Sequence, residues 1–325
     1  MPFILEPDSG YSLSPQLWIG TWSLGGEGFG AVDGRESIDL LVDGLHKGFR
    51  HFDSAQFYAH GKSEAYLAKA IKQSQVSRKE IFISSKGGLA WKGNQVIHDG
   101  SEKNLRSTLM QSLSAYQTDY LDLYQLHWPD PQTPLQESVK TLKNLQKEGL
   151  IKHWGVGNLT SQQLNALCDP KARIPHQVHH NPLHRSDDLL NAGHLNDRCY
   201  NCSISPLEQG LLTSQHYSDA LEGLGKKDVR RRNPYFHSSE YKPWLREYYQ
   251  LSENLPFPRS VLLLLWQLKQ STIDAVIVGP KRPAQLTELI QVLDHANDPE
   301  SMAYVALINE LGASPSGNPF TNKKS

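Results

Sequence analysis

Two rhythms alternate along this chain. Short apolar runs recur, and most are followed by a stretch whose apolar residues return at helical spacing. Leu17–Gly20 is such a run, and after a glycine-rich loop Ile38, Leu41, Val42 and Leu45 lie on one helical face that Gly48 closes. Phe49–Asp53 repeats the pattern before the amphipathic segment SEAYLAKAI, as does Glu80–Lys86 before a helix at Glu102–Tyr116 carrying Leu105, Leu109 and Leu113. Asp119–His127 precedes a helix with Leu135, Val139 and Leu142 that ends near Gly149, and Ile151–Gly157 precedes Ser161–Leu167. His176–His179 leads to a helix around Asp187–Leu195, and Cys199–Ser205 forms the seventh strand. Ile273–Val278 is the eighth, followed by Leu286, Leu289, Ile290 and Leu293 at helical spacing. Strand–helix alternation implies parallel strands with right-handed crossovers. Eight units in this length favour an α/β fold of the closed (β/α)8 TIM-barrel type. No linker divides the chain, so residues 1–325 are expected to form a single domain. A long insert, Thr213–Asn254, follows strand 7, and a C-terminal tail starts at Pro299. The longest apolar run, Val261–Trp266, has helix length and belongs in a core.

Composition narrows the function classes. The 325 residues carry 33 Lys and Arg against 34 Asp and Glu, so no face can be strongly basic without an acidic counterpart. That balance argues against nucleic-acid and membrane-surface partners. No run is apolar enough to span a bilayer, and Met1–Ser14 lacks the look of a signal peptide. The three cysteines, Cys168, Cys199 and Cys202, fit a reducing compartment, and a cytoplasmic location is expected.

Candidate chemistry appears at the strand ends, where barrel enzymes place it. There stand Thr21 and Trp22, Asp53, Lys86, His127, Asn158, Gln177, Ser205, and Gly279 with Lys281. Taken singly, Asp53 reads as a helix cap, Lys86 as a surface amine, His127 as a core histidine and Tyr58 as a packing aromatic. Together the four read as a proton-transfer device. A free phenol, with a pKa of about 10, is a weak acid at neutral pH. A nearby ammonium lowers that value, and a carboxylate fixes the ammonium. A neutral imidazole beside the phenol can orient a carbonyl.

Other signals carry less. Gly26-x-Gly28-x-Gly30 lacks the full dinucleotide spacing and reads as a flexible loop near the substrate mouth. Gly61-Lys62-Ser63 ends like a P-loop, but Gln56 stands where the first glycine is needed. Cys199-x-x-Cys202 has no second ligand pair and reads as structural thiols. His179 and His180 face opposite sides of a strand and cannot share a metal. The insert's basic cluster, Lys226, Lys227, Arg230, Arg231 and Arg232, reads as a solvated loop by composition and as a flap over an anionic ligand by position.

Across almost its whole length the sequence resembles the aldo-keto reductase family. The resemblance rests on GFRHFDSAQFYAHGKSEAYLAKAI, ISSKGG, LYQLHWPD, GVGN at Gly155–Asn158, Gln177, SPLEQGLLT at Ser205–Thr213, and VIVGPKRPAQLTEL, all in the family's order. The RRRNPYF and GPKRPAQ segments are most similar to the bacterial, potassium-channel-β-like branch. The resemblance implies a catalytic set of Asp53, Tyr58, Lys86 and His127, with Tyr58 giving a proton to a small-molecule carbonyl as reduced nicotinamide gives hydride. It implies carboxamide contacts from Asn158 and Gln177, and a pyrophosphate along Ser205, Leu207, Gly210 and Leu211. Gly279 would belong to the cofactor site and Lys281 would hold the adenosine 2′-phosphate, with Gln285 and Glu288 facing the adenine, which favours NADP over NAD. Trp22, Trp91 and Trp128 would line the substrate mouth. Ile204 stands where the family usually has a stacking aromatic, Gly157 where it often has serine, and Lys281 where arginine is usual. The alternative within the same likeness is an NADP(H)-binding regulatory or redox-sensing subunit with slow turnover.

Overall fold

Eight parallel strands close into a ring in the computed structural model, which describes residues 16–312 apart from 27, 31, 94, 168–172, 187–189, 191–197, 215–218, 222–223 and 227. In chain order the strands are β1 (Leu17–Gly20), β2 (His51–Asp53), β3 (Phe82–Gly87), the pair β4 (Leu89–Lys92) and β5 (Gln95–His98), β6 (Leu121–Leu126), β7 (Ile151–Gly157), β8 (Ile174–His179), β9 (Cys199–Ile204) and β10 (Ala275–Val278). The ring runs β1-β2-β3-β6-β7-β8-β9-β10 and returns to β1. This is the expected (β/α)8 barrel.

The helices are α1 (Gly34–His46), α2 (Lys62–Ser74), α3 (Glu102–Tyr116), α4 (Leu135–Lys147), α5 (Ser161–Asn165), α6 (Lys242–Leu251), α7 (Arg259–Leu268), α8 (Pro283–Asp294) and α9 (Pro299–Leu311). Local chemistry sets their ends. Asp33 caps α1 by accepting from the amides of Arg35 and Glu36, and Ser101 caps α3 through Asn104. Gly48, at φ 95°, turns the chain out of α1 as a left-handed residue would.

Side chains alternate across the ring, and the alternation makes two cores. The outer core lies between strands and helices; α7 enters it with Val261 through Trp266 all buried. The inner core fills the barrel with Trp18, Phe82, Leu123, Tyr200, Cys202, Ala275 and Ile277, and Ile204 packs on its edge. Cys199 and Cys202 fall on opposite sides of this division and are both buried. Near its floor the barrel stacks Trp18 on His51, with ring centroids 5.4 Å apart. Above this apolar layer the inward positions become polar: Asp53, Ser84, Lys86, Gln125 and Gln177. Register makes neighbours of several, pairing Asp53 with Ser84 and Lys86 with Gln125.

Three expectations change. Between β3 and α3 a hairpin, β4 with β5, pairs antiparallel across Gly93 at φ 62°. The insert is not a solvated loop: Tyr235, Phe236, Tyr241, Trp244, Leu245 and Tyr248 are buried, while Arg231 and Arg232 remain exposed. The segment from Pro299 is no tail, because α9 packs on α7 with Trp266 Nε1 donating to Asn309 Oδ1 at 2.7 Å. The helix expected around Asp187–Leu195 lies almost wholly outside the described residues, as do Cys168 and Lys227. Among the described residues no helix is long and apolar enough to cross a membrane, and no group of three or more His, Cys, Asp or Glu could hold a metal ion.

Candidate active site

Adjacent strands β2, β3 and β6 deliver four ionisable side chains to one rim. Lys86 ends β3 facing inward, where its ammonium reaches Asp53 Oδ2 at 2.6 Å, the Ser54 carbonyl at 2.9 Å and the Tyr58 hydroxyl at 3.0 Å. An ammonium has three N–H donors, and all three have acceptors here. Asp53 is held from its other oxygen by Ser84 Oγ at 3.0 Å and Gln177 Nε2 at 2.6 Å, and Gln125 Nε2 in turn donates to Ser84 Oγ at 3.0 Å. The Tyr58 oxygen accepts from Lys86, so its own proton points away from the ammonium. His127 Nε2 lies 3.5 Å from that oxygen, with the two rings edge to face.

Tyr58 is aimed by unusual backbone. Ala59, His60 and Gly61 take φ values of 49°, 54° and 85°, three left-handed residues in a row. For Ala and His that conformation costs about 1–2 kcal/mol each, so surrounding packing has to impose it. The loop leans on Gly25, where a side chain would collide with Ala59 Cβ and Ser63 Oγ.

Burial and neighbours set the charges. Burial opposes the charge on Lys86, but Asp53 and Tyr58 outweigh it and hold the ammonium above its ordinary pKa. Burial raises the Tyr58 pKa by more than Lys86 lowers it. The net direction is upward, opposite to the expected depression, because the phenol sits in a low-dielectric rim where phenolate is poorly solvated. Burial, then Lys86 and His98, push His127 well below its ordinary value, which leaves a neutral imidazole at neutral pH.

The three tryptophans divide. Trp22 stacks on Tyr58, its ring centre 6.0 Å away, and meets Phe29 edge to face. Trp128 follows His127 and packs near His98; Trp22 and Trp128 are each 37% exposed at the mouth. Trp91, on β4, stacks instead on Phe57 at 4.7 Å and on His60, one layer behind the phenol.

The residues expected to hold a cofactor line the opposite half of the rim. Asn158 follows β7 with its amide donating to the His127 carbonyl, and Gln177 ends up bound to Asp53. Ser205, Leu207 and Gly210 follow β9 in a segment where Ser205 and Glu208–Gly210 have positive φ and Leu207 does not, whereas the Leu211 side chain is fully buried in the outer core. Gly279 is pressed close: a Cβ there would lie 3.2 Å from Ser23 Oγ, a buried hydroxyl without a hydrogen-bond partner among the described residues. Such a glycine-lined cleft with an unsatisfied hydroxyl fits close approach by a dinucleotide. Lys281 Nζ donates to the Phe29 carbonyl at 3.1 Å and sits 4.9 Å from the Phe29 ring centre. Gln285 accepts from the Lys281 and Arg282 amides, and Glu288 accepts from Ser260 on α7.

Ser84, Gln125 and Phe29 are site residues that strand-end inspection does not reach. Ser84 and Gln125 were available from period-two alternation, since they precede Lys86 and His127 by two residues on inward-facing positions. Phe29 had no such signal, because Lys281 meets it from the far end of the chain.

Fold and rim together fit one class of protein, (β/α)8 barrels with ionisable side chains gathered at the C-terminal ends of their strands. The Aldo/keto reductase family model matches residues 16–310, and the chain belongs to that family. It is accordingly a nicotinamide-dependent oxidoreductase of carbonyl compounds. The chain is 30% identical to "Aldo-keto reductase YhdN" of Bacillus subtilis over 298 residues, spanning 90% of this chain and 88% of that protein. It is 27% identical to "NADH-specific methylglyoxal reductase" of Escherichia coli over 304 residues, with 86% and 90% covered. To "Putative voltage-gated potassium channel subunit beta" of Schizosaccharomyces pombe it is 26% identical over 309 residues, with 90% and 88% covered.

Proposed function

We propose that this protein reduces an aldehyde or ketone to the alcohol, reversibly, with NADPH as the preferred cofactor and Tyr58 as the proton donor. The observation that carries the proposal is the saturated ammonium of Lys86, fixed by Asp53 at 2.6 Å and touching the phenol at 3.0 Å. The raised Tyr58 pKa keeps the phenol protonated and ready to donate. When the proton leaves, the Lys86 ammonium already faces the oxygen that becomes phenolate, so stabilising charge is in place before the reaction. Neutral His127 donates its ring N–H to the substrate carbonyl oxygen beside Tyr58, orienting the carbonyl. Trp22, stacked on Tyr58, and Trp128, the residue after His127, give the mouth an aromatic border, which suits a flat or apolar substrate.

When bound, the nicotinamide supplies the hydride. Asn158 and Gln177 would hold its carboxamide, and the Ser205–Leu211 backbone the pyrophosphate. Lys281, with Arg230 and Arg282 as cationic neighbours that depress its pKa alongside burial, would meet a 2′-phosphate. Ile204 would pack an aliphatic edge on the ring.

Loss of NADPH absorbance with methylglyoxal and a panel of other aldehydes is the test. Tyr58→Phe is expected to lower kcat by about 10²–10⁴-fold, the range for a general acid, with the fold intact. Equal rates for Tyr58→Phe and wild type would remove Tyr58 from its role. Faster turnover with NADH than NADPH would reverse the cofactor preference. Tight NADPH binding without turnover of any carbonyl would favour the regulatory-subunit reading, which Ile204 keeps in play.

A further inference from the structure

Glu208 lies outside the acid–base group, yet its carboxylate has three side-chain partners, as many as Asp53 has. Its side chain is fully buried. One oxygen accepts from His179 Nε2 and Asn181 Nδ2, each at 2.7 Å; the other accepts from Asn233 Nδ2, also at 2.7 Å. These donors come from three separate places: the end of β8, the turn after it, and the insert. Asn181 also donates to the Ser205 carbonyl at 3.0 Å, and Asn233 Oδ1 accepts from the Tyr235 amide at 3.0 Å. The carboxylate therefore joins the β8 end and the buried aromatic layer of the insert to the segment after β9.

That segment needs holding. Ser205, Glu208, Gln209 and Gly210 have φ values of 55°, 43°, 55° and 96°. Three of these are L-residues in a conformation that chirality disfavours, so the run would relax if unconstrained. Nothing in the local composition fixes it; the anchor is the Glu208 side chain, held by groups distant in sequence.

We propose that Glu208 is a positioning residue for the cofactor: its buried carboxylate fixes the segment Ser205–Gly210, with its left-handed residues Ser205 and Glu208–Gly210, and clamps the insert to it at Asn233, so that the phosphate-facing loop has its bound shape in advance. The proposal rests on the reading that this run holds the cofactor's pyrophosphate. Preorganisation of this kind strengthens binding without entering the chemical step. Glutamine is the informative replacement. It keeps the shape but presents an NH2 group in place of one carboxylate oxygen, so at least one of the facing N–H donors loses its acceptor.

The test compares full-length wild type, Glu208→Gln and Asn233→Ala. NADPH affinity is measured by quenching of tryptophan fluorescence, turnover with methylglyoxal, and folding by thermal melting. Glu208→Gln is expected to weaken NADPH binding by about tenfold or more while kcat at saturating NADPH stays within about threefold. Asn233→Ala, which severs only the insert arm, should show the same split at smaller size. A Glu208→Gln protein that melts earlier but binds NADPH as tightly as wild type would reduce the residue to a structural part and overturn the proposal. Should Glu208→Gln not fold, Asn233→Ala decides alone: weakened NADPH binding with kcat retained supports the clamp, and unchanged binding refutes it. Wild type that binds neither NADPH nor NADH would bring down the proposed function as well, an outcome distinct from a failure confined to the variants.

Discussion

Glu64 is a buried carboxylate behind the active rim. It stands in the first turn of α2, where Ser85 Oγ donates to it at 2.6 Å and Ser112 Oγ at 3.1 Å. Burial pushes its pKa up to about 7, with the two serine hydrogen bonds and Lys86 pulling the other way. A carboxyl raised on folding binds more protons in the native state than in the unfolded chain, so stability declines as pH rises. The window runs from its ordinary value of 4.5 up to about 7. Across it the loss is about 3 kcal/mol at most, at 1.36 kcal/mol for each pKa unit. Both serine hydroxyls can rotate to suit an amide, so Glu64→Gln should remove the penalty without leaving a polar orphan. Urea unfolding is expected to show Glu64→Gln more stable than wild type by about 1–3 kcal/mol at pH 8, and close to it at pH 4.5. An equal difference at both pH values would mean that the charge is not the cause.

At the level of elements, α9 shows how a peripheral helix supports the barrel. It opens with Asp298 accepting from the Ser301 amide and Pro299 in the first turn, and it buries Val305 and Ile308. Arg185 donates to its Ile308 carbonyl at 2.6 Å, tying the segment after β8 to the same helix. A chain stopped after Asp298 would expose that apolar face and the indole of Trp266. Burial of about 1.5–3 kcal/mol per large aliphatic residue predicts a melting temperature lower by roughly 10 °C, read by circular dichroism. A truncated chain melting with wild type would show that α9 contributes little. Pro299 was readable as a helix start, since proline suits the first helical position after an aspartate cap, but taken alone it looks like a break. The insert hid its helix in the same way. Tyr241, Trp244, Leu245 and Tyr248 keep helical spacing, yet the adjacent basic run dominates the composition. The hairpin had its signal in Gly93–Asn94 between two alternating stretches. The ring itself was legible because a period of two and a period of 3.6 rarely take turns by chance. Left-handed Ala59, His60 and Gln209 were not legible, because none is glycine and only distant packing imposes their shape.

For the molecule as a whole, the central matter is whether barrel, insert and final helix act as one body. Tyr248 and Tyr249 of the insert donate to the Leu212 and Leu211 carbonyls, and Trp244 Nε1 donates to the Gly312 carbonyl at 3.0 Å. These bonds link the insert to both the rim segment and the chain's last described residue, and we propose that barrel, insert and final helix unfold as one unit. Thermal unfolding followed in parallel by far-ultraviolet circular dichroism and tryptophan fluorescence should then give one coincident transition. Two separated transitions would identify the insert as an independent unit.

The acid-bearing strands β2, β3 and β6 occupy one arc of the ring, and the strands assigned here to nucleotide holding, β7 through β10, occupy the other. On the proposed roles, substitutions in the hairpin would change the menu of carbonyls while leaving the choice of redox currency alone. Swaps around Lys281 would reach the phenol, since Lys281 meets Phe29, Phe29 meets Trp22 and Trp22 stacks on Tyr58. The Gln177 to Asp53 bond at 2.6 Å and the Asn158 to His127 carbonyl bond at 2.9 Å cross between the arcs, and lineages that diversify by exchanging either arc should keep them.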